Sequence, residues 1–328
     1  MITKKIIVDQ SYYNDKVKRL GEVIRAGGLV AFPTETVYGL GGNALDKEAA
    51  KKIYMAKGRP SDNPLIVHVA DISEVSTYVK RILPLEKRLM EAFWPGPLTI
   101  VFPKKDIVPM ATSGGLRTIA IRCPAHEAAR ALIRAAGVPI AGPSANISTK
   151  PSPTTADAVL HDMDGRIEFV IDGGDSLIGL ESTVIAVENG KIIIYRPGGI
   201  TRDMLEAFAP TELDTAITAE QEHPKAPGMK YRHYAPSAPL TVYAGNIEAV
   251  ESEILSFANK GKGKFGFFVS QETAKKFLLE ILFLSGEDGG IKKNWHIIYF
   301  RDYYFSITIL LITLSAKVQM VEGLVWQS

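Results

Sequence analysis

Lys57-Gly58-Arg59-Pro60-Ser61-Asp62-Asn63 sets two cations, short polar side chains and two turn residues at the end of a predicted helix. Polyphosphate calls for that mix. Arg supplies a planar fork of donors, Lys a compact charge, and Gly lets backbone amides approach. The plainer reading is a solvated helix end, with both cations well placed against the helix dipole. Ala141-Gly142-Pro143-Ser144-Ala145-Asn146 follows a predicted strand directly. Its small residues suit a nucleotide phosphate or ribose, although alone it reads as any turn. Pro33-Thr34-Glu35-Thr36-Val37-Tyr38-Gly39-Leu40 carries hydroxyls, one carboxylate and one aromatic ring at a strand end, a set suited to a small zwitterion. Helix capping is the plainer use of Thr34 and Thr36. Neither the Walker pattern nor the spaced dinucleotide fingerprint occurs, so Gly41-Gly42 is a weak phosphate loop.

These segments need a frame to bring them together. Val17, Leu20, Val23 and Ile24 recur at helical spacing over Asp15 to Ala26, and Gly27-Gly28 supplies the stop. Leu29–Phe32 reads as a strand, and a helix is predicted from after Asp46 to about Lys57. Further strands are predicted at Leu65–Val69, Leu98–Phe102, Thr118–Arg122, Val138–Ala141, Phe169–Asp172, Thr183–Val187 and Ile192–Arg196. Helices fall near Ile72–Val79 and Pro84–Phe93, from Pro124 to about Ala136, and from the Thr201 cap to about Phe208. The alternation predicts an open, twisted α/β sheet over residues 1–208, with ligands beyond strand ends. Residues 209–236 lack apolar periodicity and read as a linker. A smaller α/β unit is expected over 237–328.

The chain has 328 residues, room for two domains. Its 38 basic and 36 acidic residues leave a formal charge of +2, which gives no global reason for tight nucleic-acid binding. One cysteine, Cys123, makes neither an internal disulfide nor a cysteine metal site and suits a reducing, cytoplasmic setting. Met1 to Arg19 lacks the apolar core of a signal peptide. The most apolar stretch, Tyr303–Ala316, is shorter than the roughly 20 residues of a membrane span.

Taken together, Pro33–Leu40, Lys57-Gly58-Arg59 and Ser144-Ala145-Asn146 resemble the YrdC-type domain, with its Lys-x-Arg and later Ser-x-Asn. The likeness covers about residues 10–205. Pro95-Gly96-Pro97-Leu98-Thr99, Arg117–Arg122 and Glu181-Ser182-Thr183-Val184 follow in the family's order. Pro227–Pro236, with Lys230, Arg232 and Tyr234, resembles the linker of the long, two-domain form of the threonylcarbamoyl-AMP synthase family.

The resemblance implies a YrdC-like open, twisted mixed sheet with flanking helices, then a smaller Rossmann-like α/β domain, divergent or truncated at its C-terminus. It implies a nucleotidyltransferase that makes L-threonylcarbamoyladenylate and pyrophosphate from L-threonine, bicarbonate and ATP. The product supplies tRNA threonylcarbamoyl transferase machinery acting on the adenosine next to the anticodon. Lys57, Arg59, Ser144 and Asn146 are implied as catalytic. Thr36, His68, Arg122, Gly142 and Ser182 are placed around threonine. Arg59, Asn63, Thr118, Ser144, Ser152, Arg196 and Tyr234 are placed around ATP. Lys57 and Arg59 are expected to clamp phosphate and to be removable with little loss of folding. Mg2+ is expected to arrive with the triphosphate, with no protein metal site. Without the family, His68 would read as a satisfied core histidine and Arg122 as a surface ion pair. The linker is expected to close over the nucleotide as a lid.

After about residue 280 the family pattern is lost. Gly286-Glu287-Asp288-Gly289-Gly290 leads into the aromatic, β-branched Trp295–Leu314, which reads as a frame change or a divergent C-terminus. Two rivals to the synthase reading are a non-catalytic module of the same fold binding double-stranded RNA or tRNA, and the carbamoyl transfer of hydrogenase maturation. The second normally carries zinc-finger regions for which this chain lacks the cysteines. No membrane contact is expected, and at most a weak contact with tRNA.

Overall fold

The structure, a computed structural model, describes residues 2–8 and 15–214. Beyond them it describes the strands Leu240–Ala244, Lys264–Val269, Trp295–Tyr299 and Thr308–Leu314, with a few helical residues between 248 and 256. The chain divides into two compact units.

In chain order the first unit holds β1 (Lys4–Ile7), α1 (Asp15–Arg25), β2 (Val30–Phe32), β3 (Gly39–Asn43), α2 (Lys47–Lys57), β4 (Ile66–His68), α3 (Val75–Tyr78) and α4 (Pro84–Phe93). There follow β5 (Leu98–Pro103), β6 (Thr118–Arg122), α5 (Glu127–Ala136), β7 (Ile140–Ala141), α6 (Ala156–Met163), β8 (Phe169–Asp172), β9 (Thr183–Glu188), β10 (Lys191–Arg196), α7 (Arg202–Glu206) and β11 (Thr211–Leu213). The strands make one mixed sheet of eleven in the order β1-β8-β2-β3-β7-β4-β6-β5-β9-β10-β11. Parallel pairs such as β4 with β6 stand beside antiparallel ones such as β5 with β6.

Alternation along the strands separates two cores. Val30, Phe32, Ile140 and Ile171 face α1 and α5 in one cluster, while Ala31, Ala141 and Val170 belong to the other, larger cluster. Helix α2 starts where the sequence places it: Asp46 caps it by accepting Glu48 N–H, and Gly58 ends it in the left-handed region at φ 62°.

Four departures from the sequence reading have local causes. Helix α5 begins at Glu127, not Pro124, because His126 Nδ1 accepts the Ala128 N–H and serves as the cap. Strand β3 is rich in glycine and so carries no strand signature. It pairs with β2 and β7 because a Cβ at Gly39 or Gly41 would stand 2.8 or 2.9 Å from Phe32 or Ile140. Strand β1 is mostly exposed at the sheet edge and shows no apolar run. Strand β11 pairs with β10, so the sheet runs past Phe208 into the segment read as linker.

In the second unit the order is Leu240–Ala244, Thr308–Leu314, Lys264–Val269, Trp295–Tyr299. The unusual Trp295–Leu314 segment therefore supplies two strands, one of them interior. The most apolar stretch of the chain lies there. Among the described residues no helix is long and apolar enough to cross a membrane.

Candidate active site

A cavity opens where the Pro33–Val37 turn, the ends of β4 and β6 and the loop after β7 converge. Thr34, Thr36, Arg59, His68, Arg122, Gly142, Ser144, Asn146, Ser152, Ser182 and Arg196 all line it, together with Lys150 and Glu181.

Arg122 ends β6 and is 4 % exposed. Its Nη2 lies 2.6 Å from Glu35 Oε1, its Nη1 donates to Thr36 Oγ1 at 2.8 Å, and its Nε donates to the Gly96 carbonyl. Glu35 Oε2 accepts the Ala125 N–H, so the acid is fixed from both sides. Thr34 Oγ1 gives its hydrogen to the Val37 carbonyl at 2.5 Å and lies 2.8 Å from Thr36 Oγ1. The Thr36 hydroxyl accordingly donates to Thr34, and what it has left to offer is an acceptor.

His68 sits beside Arg122 in the parallel β4/β6 register. Its ring meets Phe32 edge-on, with centroids 5.6 Å apart. Burial, and then the Arg122 charge, press its pKa down to about 3, so the imidazole is neutral. Its Nδ1 is buried with no hydrogen-bond partner among the described residues. Glycine keeps this spot open: a Cβ at Gly142 would stand 3.2 Å from both that nitrogen and Phe32, and one of them would have to shift. The Gly142 N–H is tied to the Ile66 carbonyl at 2.8 Å.

Ser182 Oγ lies 2.7 Å from Thr99 Oγ1, and Arg196 Nη2 reaches the same hydroxyl at 3.2 Å and the Ser182 carbonyl at 2.7 Å. Ser152 donates to Glu181 Oε1 in a short hydrogen bond. Arg59 is held through the carbonyls of Asn63 and Pro64 and by a short bond to Asn63 Oδ1. Asn63 is 1 % exposed and acts on the cavity through Arg59. Thr118 is not a lining residue. It lies on the same face of β6 as Arg122, roughly 13 Å further along, beyond Ala120. The face between them is floored by Ile66, Val101, Ala120 and Val184, one apolar cluster.

Lys57 occupies a different place from its neighbour in the motif. It is 2 % exposed and absent from the cavity wall. Its Nζ lies under the Ser144–Asn146 loop, donating to the Ser144 carbonyl, to the Asn146 carbonyl at 2.6 Å and to Asn146 Oδ1 at 3.2 Å. Burial and then the Arg59 charge press its pKa well down, yet three oxygens use the three donors of the ammonium form. The expectation that Lys57 is removable with little loss of folding does not fit a buried cation holding a loop in this way.

Tyr234 and the Pro227–Pro236 segment lie outside the described residues. Glu181 and Lys150 line the cavity and were not singled out from sequence; Glu181 had only its place before Ser182 to signal it, while Glu35 was noted only as the carboxylate of its turn. Among the described residues no group of three His, Cys, Asp or Glu is arranged to hold a metal ion. The cationic lining suits an anionic group.

The fold is a mixed α/β sheet with a cavity lined by Arg59, Arg122 and Arg196, and the comparisons place it in a family. The Sua5/YciO/YrdC family, described as "Telomere recombination", matches residues 22–198, and "Threonylcarbamoyl-AMP synthase, C-terminal domain" matches residues 200–298. The second match runs past residue 280, where the motif likeness ends. A threonylcarbamoyl-AMP synthase of Bacillus subtilis is 47% identical, covering 82% of this chain and 78% of its own. One from Pyrococcus abyssi is 49% identical, covering 75% and 74%. The crystal structure of P. abyssi Sua5 complexed with L-threonine superposes with a TM-score of 0.77 at 40% identity, over 92% of this chain and 84% of that one. This chain belongs to the threonylcarbamoyl-AMP synthase family. The family's members are enzymes that make an adenylate from ATP, and the comparisons favour catalysis over the RNA-binding alternative.

Proposed function

We propose that the cavity seats L-threonine at its Arg122 end and ATP along the β6 face toward Thr118, and joins them through bicarbonate as a nucleotidyltransferase. The observation that carries this is the division of the cavity. Arg122, Thr36 and neutral His68 form a polar end, while Arg59 and Arg196 line the same cavity with Ile66, which belongs to the apolar cluster on the β6 face.

The threonine amine takes up bicarbonate as a carbamate with loss of water. A carbamate oxygen then attacks the α-phosphorus of ATP and pyrophosphate leaves, giving L-threonylcarbamoyladenylate. Arg122 offers its fork to the threonine carboxylate. Arg59 and Arg196 face the triphosphate and stabilise charge that grows as pyrophosphate departs. Gly142, Ser144 and Ser152 border the join, and Asn63 and Thr118 the nucleotide side. Lys57 serves from behind, holding Ser144 and Asn146 in position. Magnesium, when bound to the triphosphate, screens its charge. The chain after β11, up to residue 236 and with Tyr234, then acts as a linker and lid, and the product passes to a tRNA threonylcarbamoyl transferase in the cytoplasm, with at most a weak contact to tRNA itself. The test is incubation of the full chain with ATP, magnesium, L-threonine and labelled bicarbonate. Pyrophosphate and a labelled adenylate are expected, and the absence of both overturns the reading.

A further inference from the structure

Glu181 is an acid in a cavity otherwise built for anions. Arg59, Arg122, Lys150 and Arg196 line the space, and among the described residues Glu181 is the one carboxylate that lines it with them. It is 8 % exposed, and its Oε1 accepts the Ser152 hydroxyl. Among the described residues no Lys, Arg or His forms an ion pair with it. Glu35, equally buried, differs in being committed to Arg122.

A buried carboxylate without a cation repels incoming phosphate and carboxylate, and its desolvation is offset when the bound state brings it positive charge. The backbone holds it in place for this. A Cβ at Gly198 would stand 2.3 Å from the Glu181 carbonyl, and Gly199 N–H donates to that carbonyl at 3.1 Å. The same cavity offers two further acceptors that the protein leaves to a ligand. One is the remaining lone pair of Thr36 Oγ1, and the other is His68 Nδ1, buried and unpartnered. An α-ammonium is a compact group with three donors and one positive charge. Arg122 already answers the opposite end of a zwitterion.

We infer that Glu181 pairs with the α-ammonium of the amino-acid substrate and takes its proton. The inference rests on the functional reading above. In the step, the ammonium N–H bond breaks, its electron pair stays on nitrogen and its proton goes to a Glu181 oxygen. The freed amine forms an N–C bond to the carbon of bicarbonate. The bicarbonate hydroxyl leaves as water with a second amine proton, and the Glu181 proton passes to solvent.

The test uses the full chain, wild type and Glu181→Gln, titrated calorimetrically with L-threonine, with 2,3-dihydroxybutyrate, which replaces the ammonium by hydroxyl, and with ATP. Glu181→Gln should weaken L-threonine by about tenfold or more, the scale of a lost charge-assisted hydrogen bond. It should leave dihydroxybutyrate and ATP within about twofold, on the same scale. Equal L-threonine affinity in both proteins overturns the inference. So does an equal loss for both small ligands, which marks a structural role, or a changed magnesium requirement with threonine affinity intact. Should Glu181→Gln fail to fold by thermal melt, Glu181→Asp keeps the charge one methylene shorter. It should then fall between wild type and no binding for L-threonine alone, and wild-type affinity for L-threonine there overturns the inference. A wild type that binds no L-threonine sinks the functional reading itself.

Discussion

The two ends of the cavity treat charge differently. At the inner end Arg122 is matched by Glu35 at 2.6 Å, so the guanidinium arrives already neutralised and fixed in orientation. At the other end Arg196 is held through the carbonyl and hydroxyl of Ser182, both neutral acceptors, and oxygens of Asn63 and Pro64 accept from Arg59. A zwitterion needs direction and little net charge; a triphosphate needs net positive charge. The protein supplies each by choosing what stands behind the arginine.

The sharpest way to break that contrast is Glu35→Ala, which leaves Arg122 buried without its acid. Removing one partner of a buried pair costs about 3–5 kcal/mol. Urea denaturation should show a loss on that scale, and Glu35→Gln a smaller one. Arg59→Ala should act mainly on turnover, kcat/KM for ATP falling by about 10²–10³, the scale of a removed transition-state donor, while stability falls by no more than the roughly 1–3 kcal/mol of the Asn63 oxygen left unpaired. Steady-state kinetics with pyrophosphate detection reads this directly. A large stability loss there would erase the distinction.

Lys57→Met tests the loop support. With the ammonium gone, the Ser144 and Asn146 oxygens are left buried and unpaired, at about 1–3 kcal/mol for an orphaned acceptor. The expected result is lowered stability together with raised KM for ATP, in contrast to Arg59→Ala. Unchanged stability would return Lys57 to the role of a phosphate clamp.

A further effect concerns pH. The folded-state pKa of His68 is pushed down to about 3, so below about 6.5 the unfolded chain takes a proton that the native state refuses. The stability it confers is fully present above pH 6.5 and is lost as pH falls from there toward 3. The slope approaches about 1.4 kcal/mol per pH unit. His68→Asn should flatten that slope in urea melts between pH 6.5 and 4, whatever its effect on threonine binding.

Much of the scaffold was legible in the sequence because local chemistry decided it. Asp46 and Gly58 bracket α2, Thr201 caps α7, and apolar runs mark β5, β6, β9 and β10. Where local preference and tertiary demand part, the sequence misleads. The glycines of β3 weaken a strand in isolation, but between β2 and β7 there is no room for anything larger. Helix α5 starts after an imidazole cap that carries a weaker signal than Pro124.

The sequence picked out the segments, a Lys-x-Arg at a helix end, a Ser-x-Asn after a strand and a Thr-Glu-Thr turn, and a family resemblance read from it joined them with Arg122 at the end of β6. Those are side-chain types at short spacing, which local pattern preserves. What only the tertiary structure decided is which side of a wall each one serves. Lys57 and Arg59 are two residues apart on a chain that has just left its helix, and one goes beneath the Ser144–Asn146 loop while the other faces the cavity. Glu35 and Glu181 are the same residue type at similar burial, and one is matched by Arg122 whereas the other stands against a serine. Burial and pairing depend on elements distant in sequence, and no spacing rule encodes them.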